Sequence, residues 1–108
     1  MGLHLAKEMA FTADVIDAPR AAEIGFVNRV VPVDELDSTV DGLVDKILAG
    51  PPLALSMSKR LLDNAAQSSL AQSVEAEGLA QNVNFPTDDV AEAGAAFVEK
   101  RDTNFRGS

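Results

Sequence analysis

Histidine chemistry in this chain depends on one residue, His4, because its 108 residues include a single histidine and no cysteine. A Ser-His-Asp arrangement for nucleophilic catalysis could be built only around it, whereas a Cys-His arrangement or a metal site with several histidine ligands could not be built at all. His4 lies near the beginning of a predicted helix, where we interpret it as a solvated side chain. The sequence therefore indicates neither a catalytic triad nor a metal site.

Carboxylates are plentiful, but none has the placement of a general acid or base. Paired carboxylates need a common face and shielding from water, so that one pKa moves toward the working pH. Glu75 and Glu77 are two residues apart and point to different faces of a helix, whereas Glu92 and Glu99 share a face that we expect to be solvated. The remaining acidic cluster lies on the polar side of the clearest amphipathic helix: Asp34, Glu35, Asp37, Asp41 and Asp45. We predict no catalytic residue in this chain.

The segment Leu36-Asp37-Ser38-Thr39 is similar to the Asp-Ser-Leu site at which acyl carrier proteins receive phosphopantetheine. In that family the serine starts a helix and is followed by leucine, whereas Thr39 follows here and the helical pattern begins near Asp34. Such a short motif occurs in many unrelated sequences. An acyl-carrier-like protein therefore stays open as an alternative, as does a helical interaction module that partners a separate chain.

The charge balance narrows the class of partner. Seventeen acidic and nine basic side chains give a formal net charge of -8, which repels the phosphates of nucleic acids and the anionic surface of a membrane. The apolar stretches are shorter than a membrane span, the beginning of the chain lacks a signal-peptide pattern, and the absence of cysteine excludes disulfides. The sequence predicts a cytoplasmic protein that binds neither nucleic acid nor membrane.

The first third of the chain mixes helical and extended patterns. Residues 2–13 have the apolar spacing of a helix, and Asp17 with Pro19 begins a second helix that Gly25 ends. Two short segments, 11–16 and 26–31, are candidate strands.

From Asp34 onward the pattern is helical. Gly50 and the prolines after it separate a first helix from a second, a third extends from Ser69 to about Asn84, and Thr87 caps a fourth. The first of these carries a continuous apolar stripe: Leu36, Val40, Leu43, Val44, Ile47 and Leu48. The sequence predicts a mostly α fold of about five or six helices with one or two short strands. We expect one module over residues 1–108, in which a lead-in over 1–33 precedes a helical part over 34–108.

The order of these signals resembles the C-terminal segment of the crotonase family, the enoyl-CoA hydratases and isomerases. The resemblance extends over essentially the whole chain and rests on several short motifs in a fixed order. These motifs are Phe11-Thr12-Ala13, Gly25-Phe26-Val27-Asn28, Val30-Val31-Pro32, Asp34-Glu35-Leu36, Ser58-Lys59, Asp88-Asp89 and Ala95-Ala96-Phe97-Val98-Glu99-Lys100-Arg101. Ala13 replaces the family's usual glycine, and Phe26 its usual leucine. The resemblance implies a crotonase-like C-terminal region without the N-terminal spiral core, with 34–108 as the trimerisation-type part.

The resemblance also implies where the family's chemistry lies. Crotonase-like enzymes polarise a CoA thioester carbonyl with two backbone N–H groups and move protons or water with carboxylates such as a pair of glutamates. Those groups belong to the N-terminal spiral, and none of Glu8, Glu23 and Glu35 occupies a matching position. We therefore expect this chain to be inactive alone.

Two residues match a ligand-binding position of the family. The resemblance implies that Phe97 and Lys100, on the last helix, reach the adenine and phosphate end of CoA bound to a neighbouring subunit. The alternative makes Phe97 a core anchor and Lys100 a helix C-terminal charge. We expect no tightly bound cofactor, a CoA thioester as the candidate ligand, self-association, and pairing with an N-terminal crotonase-like chain.

Overall fold

The computed structural model describes all residues from Met1 to Ser108. It contains six α-helices and a single 3-10 turn over Val33–Glu35. The helices are α1 (Leu3–Thr12), α2 (Ala18–Glu23), α3 (Leu36–Leu48), α4 (Pro52–Ala65), α5 (Leu70–Asn84) and α6 (Asp88–Glu99). None of them is both long enough and apolar enough to pass through a lipid bilayer. The mostly helical fold expected from the sequence is confirmed.

The chain forms two compact units, Met1–Asp41 and Gly42–Ser108, and the division falls inside α3. In the first unit the predicted cap of α2 is present, because the Asp17 carboxylate accepts a hydrogen bond from the Arg20 N–H at 2.9 Å. Gly25 follows α2 with a positive φ of 68°, a conformation that costs glycine least. The helix start at Asp17 and its end at Gly25 thus follow from local sequence.

The two strands expected near the beginning of the chain do not form. Phe11 and Thr12 belong to α1, which ends where Ala13 adopts a left-handed conformation with a φ of 54°. Residues 26–31 have no hydrogen-bonded strand partner. A strand requires a neighbouring edge for its backbone groups, and neither segment supplies one to the other.

Helix α3 forms with its predicted apolar stripe, but the stripe is not covered. Its residues from Leu36 to Leu48 all remain exposed, and no residue of the helix is buried. An amphipathic helix is normally stabilised by packing of its apolar face. The helix is therefore an element with an apolar face that has no partner in this chain.

Helices α4 and α5 form an antiparallel hairpin. Met57 and Leu61 of α4 face Ala76 and Ala80 of α5 across a shared cleft. Ser69 ends the short connection and caps α5: its backbone N–H donates to the Gln72 side chain at 2.9 Å, and the Gln72 N–H donates to the Ser69 hydroxyl at 3.3 Å. This reciprocal pair is a capping box, which fixes the start of α5.

The chain buries little apolar surface of its own. Only two apolar residues are buried, Ala21 of α2 and Ala96 of α6, and the large apolar side chains of α3 and α5 are mostly exposed. Burial of apolar surface is the main favourable term in folding, and the apolar faces of α3 and α5 contribute little to it within this chain.

Candidate functional site at the end of helix α6

Phe97 lies in the last turn of α6, and Lys100 follows the helix directly, three residues further along the chain. The N-terminal end of this helix is fixed as predicted, because the Val90 N–H donates to the Thr87 hydroxyl at 3.4 Å. The Phe97 side chain is 85% exposed. Within this chain Phe97 is therefore not the core anchor of the alternative interpretation.

Lys100 has an unusual backbone conformation and a free side chain. It adopts the left-handed region, with a φ of 55° and a ψ of 43°, at the position where glycine is most common after a helix. The N–H groups of Lys100 and Arg101 both donate to the carbonyl oxygen of the buried Ala96, the second at 3.1 Å. Lys100 takes part in none of the four ion pairs of the structure. Its ammonium group is thus available to an external anion.

The guanidinium group of Arg101, the next residue, donates hydrogen bonds through all three of its nitrogen atoms. Its guanidinium binds both carboxylate oxygens of Glu92, at 2.5 and 2.8 Å, and its Nε donates to Glu99 at 2.6 Å. The backbone N–H of Asn104 adds a hydrogen bond to Glu92 at 2.8 Å. These contacts correct the expectation that Glu92 is solvated: its side chain is 23% exposed and paired.

The pKa of Glu92 is shifted in the direction opposite to that of a catalytic acid. The hydrogen bonds from Arg101, and then that from Asn104, lower it from 4.5 to about 2. The hydrogen bonds to Glu92, and then that to Glu99, raise the pKa of Arg101 above its ordinary value. A general acid needs a raised carboxyl pKa near the working pH, so Glu92 is a structural anion.

Asp89 has a role that the sequence interpretation missed. Only 4% of it is exposed, and its carboxylate accepts hydrogen bonds from the backbone N–H groups of Arg106 at 2.7 Å and Gly107 at 2.9 Å. In the sequence, Asp89 is notable only as part of the Asp88-Asp89 motif. Because its donors are backbone N–H groups, no residue type in the sequence signals this contact.

A cavity of about 300 Å³ lies between α6 and the segment that follows it. It is lined by Asp88, Asp89, Glu92, Arg101, Asn104 and Arg106. The carboxylates of Asp89 and Glu92 already accept the hydrogen bonds described above. The cavity is therefore part of the contact that holds residues 101–108 against α6.

The other candidate residues do not gather into a site. His4 is exposed on α1, and Glu75 and Glu77 are exposed on α5. The Ser38 hydroxyl donates to the Glu35 carbonyl at 3.0 Å within its own helical turn. No group of three or more histidine, aspartate or glutamate residues is arranged to hold a metal ion.

Comparison with known proteins agrees with the resemblance. The sequence profile of enoyl-CoA hydratase/isomerase matches residues 1–108. The chain is 37% identical over 105 residues to crotonyl-CoA hydratase of Syntrophomonas wolfei, with 97% of this chain and 40% of that protein covered. It is 35% identical over 109 residues to methylmalonyl-CoA decarboxylase of Escherichia coli, with 98% of this chain and 41% of that protein covered.

Comparison of the structure with solved structures also agrees with the resemblance. The crystal structure of enoyl-CoA hydratase from Bacillus anthracis superimposes with a TM-score of 0.94 at 33% identity, covering 99% of this chain and 42% of that one. The chain thus spans about two fifths of the length of the relatives that it matches. From the order of its motifs, its helical fold and these matches, we conclude that the chain belongs to the enoyl-CoA hydratase/isomerase family.

Proposed function

We propose that this chain supplies part of a coenzyme A-binding surface, through Phe97 and Lys100, together with an apolar surface for association. The relatives differ in the acyl group that their names give, crotonyl or methylmalonyl, and share coenzyme A. A segment similar to both is a reasonable place for recognition of the shared part. The acyl-carrier alternative has no comparable support.

The observation that carries this proposal is the ammonium group of Lys100, which is outside every ion pair and follows directly on the helix that presents the exposed Phe97. The left-handed backbone of Lys100 costs a side-chain-bearing residue about 1 kcal/mol, and such costs concentrate at functional sites. An ammonium group is a suitable partner for phosphate, and an exposed phenylalanine ring can stack on a flat base. The two groups suit the phosphate and adenine end of coenzyme A.

The test is the affinity of the 108-residue chain for coenzyme A, measured by NMR titration. We expect a Kd of about 1 mM or weaker, because half of a site gives little affinity. Lys100→Ala should weaken binding about threefold, through loss of one exposed charge pair. Lys46→Ala is the matched control, since Lys46 is also exposed and outside the ion pairs, and its loss changes the net charge equally. Equal weakening by both variants would contradict a specific role for Lys100.

We also propose that the chain does not hydrate an enoyl-CoA by itself. The pKa of Glu92 is lowered and its carboxylate is bound to Arg101, so it is not poised to act as a general acid. Glu8, Glu23 and Glu35 are exposed. Hydration of crotonyl-CoA by the purified 108-residue chain should equal the uncatalysed rate. Turnover above that rate, proportional to protein concentration, would overturn this part of the proposal.

A further inference from the structure

The chain after α6 turns back and is held along that helix by two acidic side chains. Asp89 and Glu92, one turn apart on α6, accept three hydrogen bonds from the backbone N–H groups of Asn104, Arg106 and Gly107. The backbone oxygen of Ser108 accepts a further one from the Asp89 N–H at 3.2 Å. We call residues 101–108 the clasp segment.

The contact of Glu92 with the clasp segment falls directly beside Lys100. Arg101 follows Lys100 in the chain, and Glu92 holds its guanidinium through two hydrogen bonds. On the other side, the Lys100 N–H is fixed to Ala96 of the helix. The left-handed turn at Lys100 is thus fixed at both ends, by the helix before it and by the Glu92 contact after it.

The hydrogen bonds from the Lys100 and Arg101 N–H groups to Ala96 hold this turn from the helix side, and the Glu92 contact adds a second restraint from the clasp segment. The left-handed region is unfavourable for lysine, so loss of the Glu92 restraint would let Lys100 adopt other backbone conformations more often. Each of these would move the Lys100 ammonium group relative to the Phe97 ring. A pair of hydrogen bonds in a fixed fork, such as that of Arg101 with Glu92, restricts orientation as well as distance.

We propose that Glu92 is a positioning residue for coenzyme A recognition: through Arg101 and Asn104 it holds the clasp segment so that Lys100 keeps its left-handed turn at the end of α6, three residues after Phe97. This inference rests on the proposed function of Phe97 and Lys100. In this proposal Glu92 does not contact coenzyme A. Asp89 holds the far end of the clasp segment and keeps it near α6 when the Glu92 contact is lost.

The test is Glu92→Gln in the 108-residue chain, with Glu99→Gln as the matched control because Glu99 makes a single contact with Arg101. Glu92→Gln should increase amide hydrogen exchange at Asn104 and weaken coenzyme A binding about threefold, by loss of a part-exposed charge pair. In a Lys100→Ala background it should still increase exchange at Asn104 but weaken binding no further. Equal weakening in both backgrounds, or none in the wild-type background, would overturn the inference.

Two further measurements keep the inference testable. If Glu92→Gln fails to fold, Arg101→Lys removes the two-bond fork while keeping the positive charge, with the same expected outcomes. If wild-type protein binds no coenzyme A, the proposed function fails, and the Cα and Cβ chemical shifts of Lys100 then test positioning alone. In Glu92→Gln, the Lys100 shifts should move away from the values typical of a left-handed backbone. Shifts equal to those of the wild-type chain would contradict the role of Glu92.

Discussion

At the scale of single residues, Lys100 is placed where glycine would be more stable. Lys100→Gly removes the side chain from a left-handed position, which should stabilise the fold by about 0.5 kcal/mol after the greater flexibility of glycine in the unfolded chain is subtracted. The same variant should weaken coenzyme A binding. Thermal unfolding and the NMR titration measure the two effects. A less stable protein would show that the turn does not strain Lys100.

A second prediction at this scale concerns the pH dependence of the Glu92 contact. Because the folded pKa of Glu92, about 2, is below its ordinary 4.5, the contact stabilises fully above pH 4.5, and this stabilisation is lost as the pH falls toward 2. Arg101 stays charged throughout, because its pKa is raised. The other charged groups around the cavity and on Arg101 are Asp88, Asp89, Glu99 and Arg106.

The measurement is the rate of amide exchange at Asn104, corrected for the intrinsic effect of pH, between pH 5 and pH 2. In wild-type protein the protection of this amide should fall across that range. In Glu92→Gln it should be low at pH 5 and change little. A wild-type profile that is flat would show that the Glu92 contact does not hold Asn104.

At the scale of elements, the capping box of α5 stabilises the start of that helix, and its contribution to the free energy of unfolding can be measured. Ser69→Ala removes the hydroxyl that accepts from the Gln72 N–H, and should destabilise the chain by about 1 kcal/mol. Ser58→Ala is the control, since Ser58 is exposed within α4 and its hydroxyl makes no hydrogen bond. Unfolding curves of the two variants give the difference. Similar stabilities would mean that packing against α4 alone determines where α5 begins.

The helices could be predicted from sequence because their signals are local. The caps Asp17 and Thr87 and the stripe of α3 depend on residues within a few positions of one another, and the structure has them where expected. The strands over 11–16 and 26–31 could not be judged in this way, because a strand exists only with a distant partner.

The clasp segment was missed for a related reason. Asp89 and Glu92 bind backbone N–H groups 12 to 18 residues away, and backbone donors leave no pattern in the sequence. By contrast, Phe97 and Lys100 are proposed from a motif of side chains, and the structure adds the exposure of Phe97 and the turn at Lys100. A motif of side chains can be compared with a family in sequence, whereas backbone donors cannot.

At the scale of the whole molecule, the unburied apolar surface predicts self-association. The apolar stripe of α3 is exposed and Ala21 and Ala96 are the only buried apolar residues, so copies of the chain should associate to remove apolar surface from water. Light scattering should give a mass above the 11.4 kDa of one chain, rising with concentration.

Leu43→Gln, in the middle of the α3 stripe, should shift this equilibrium toward the monomer. Val15→Gln is the control, because Val15 is an exposed apolar residue outside any helix. A compact monomer at high concentration of the wild-type chain would refute self-association. A mass lowered equally by both variants would refute a role for the α3 stripe.

The central claim, that the end of α6 recognises the shared part of CoA thioesters, is tested most directly by comparing two ligands on the isotopically labelled chain. Coenzyme A contains the adenine and phosphate end, and pantetheine lacks it. We predict that coenzyme A shifts the NMR signals of Phe97 and Lys100 progressively while pantetheine leaves them unchanged. Equal shifts with both ligands, or shifts with coenzyme A that avoid these two residues, would contradict the claim.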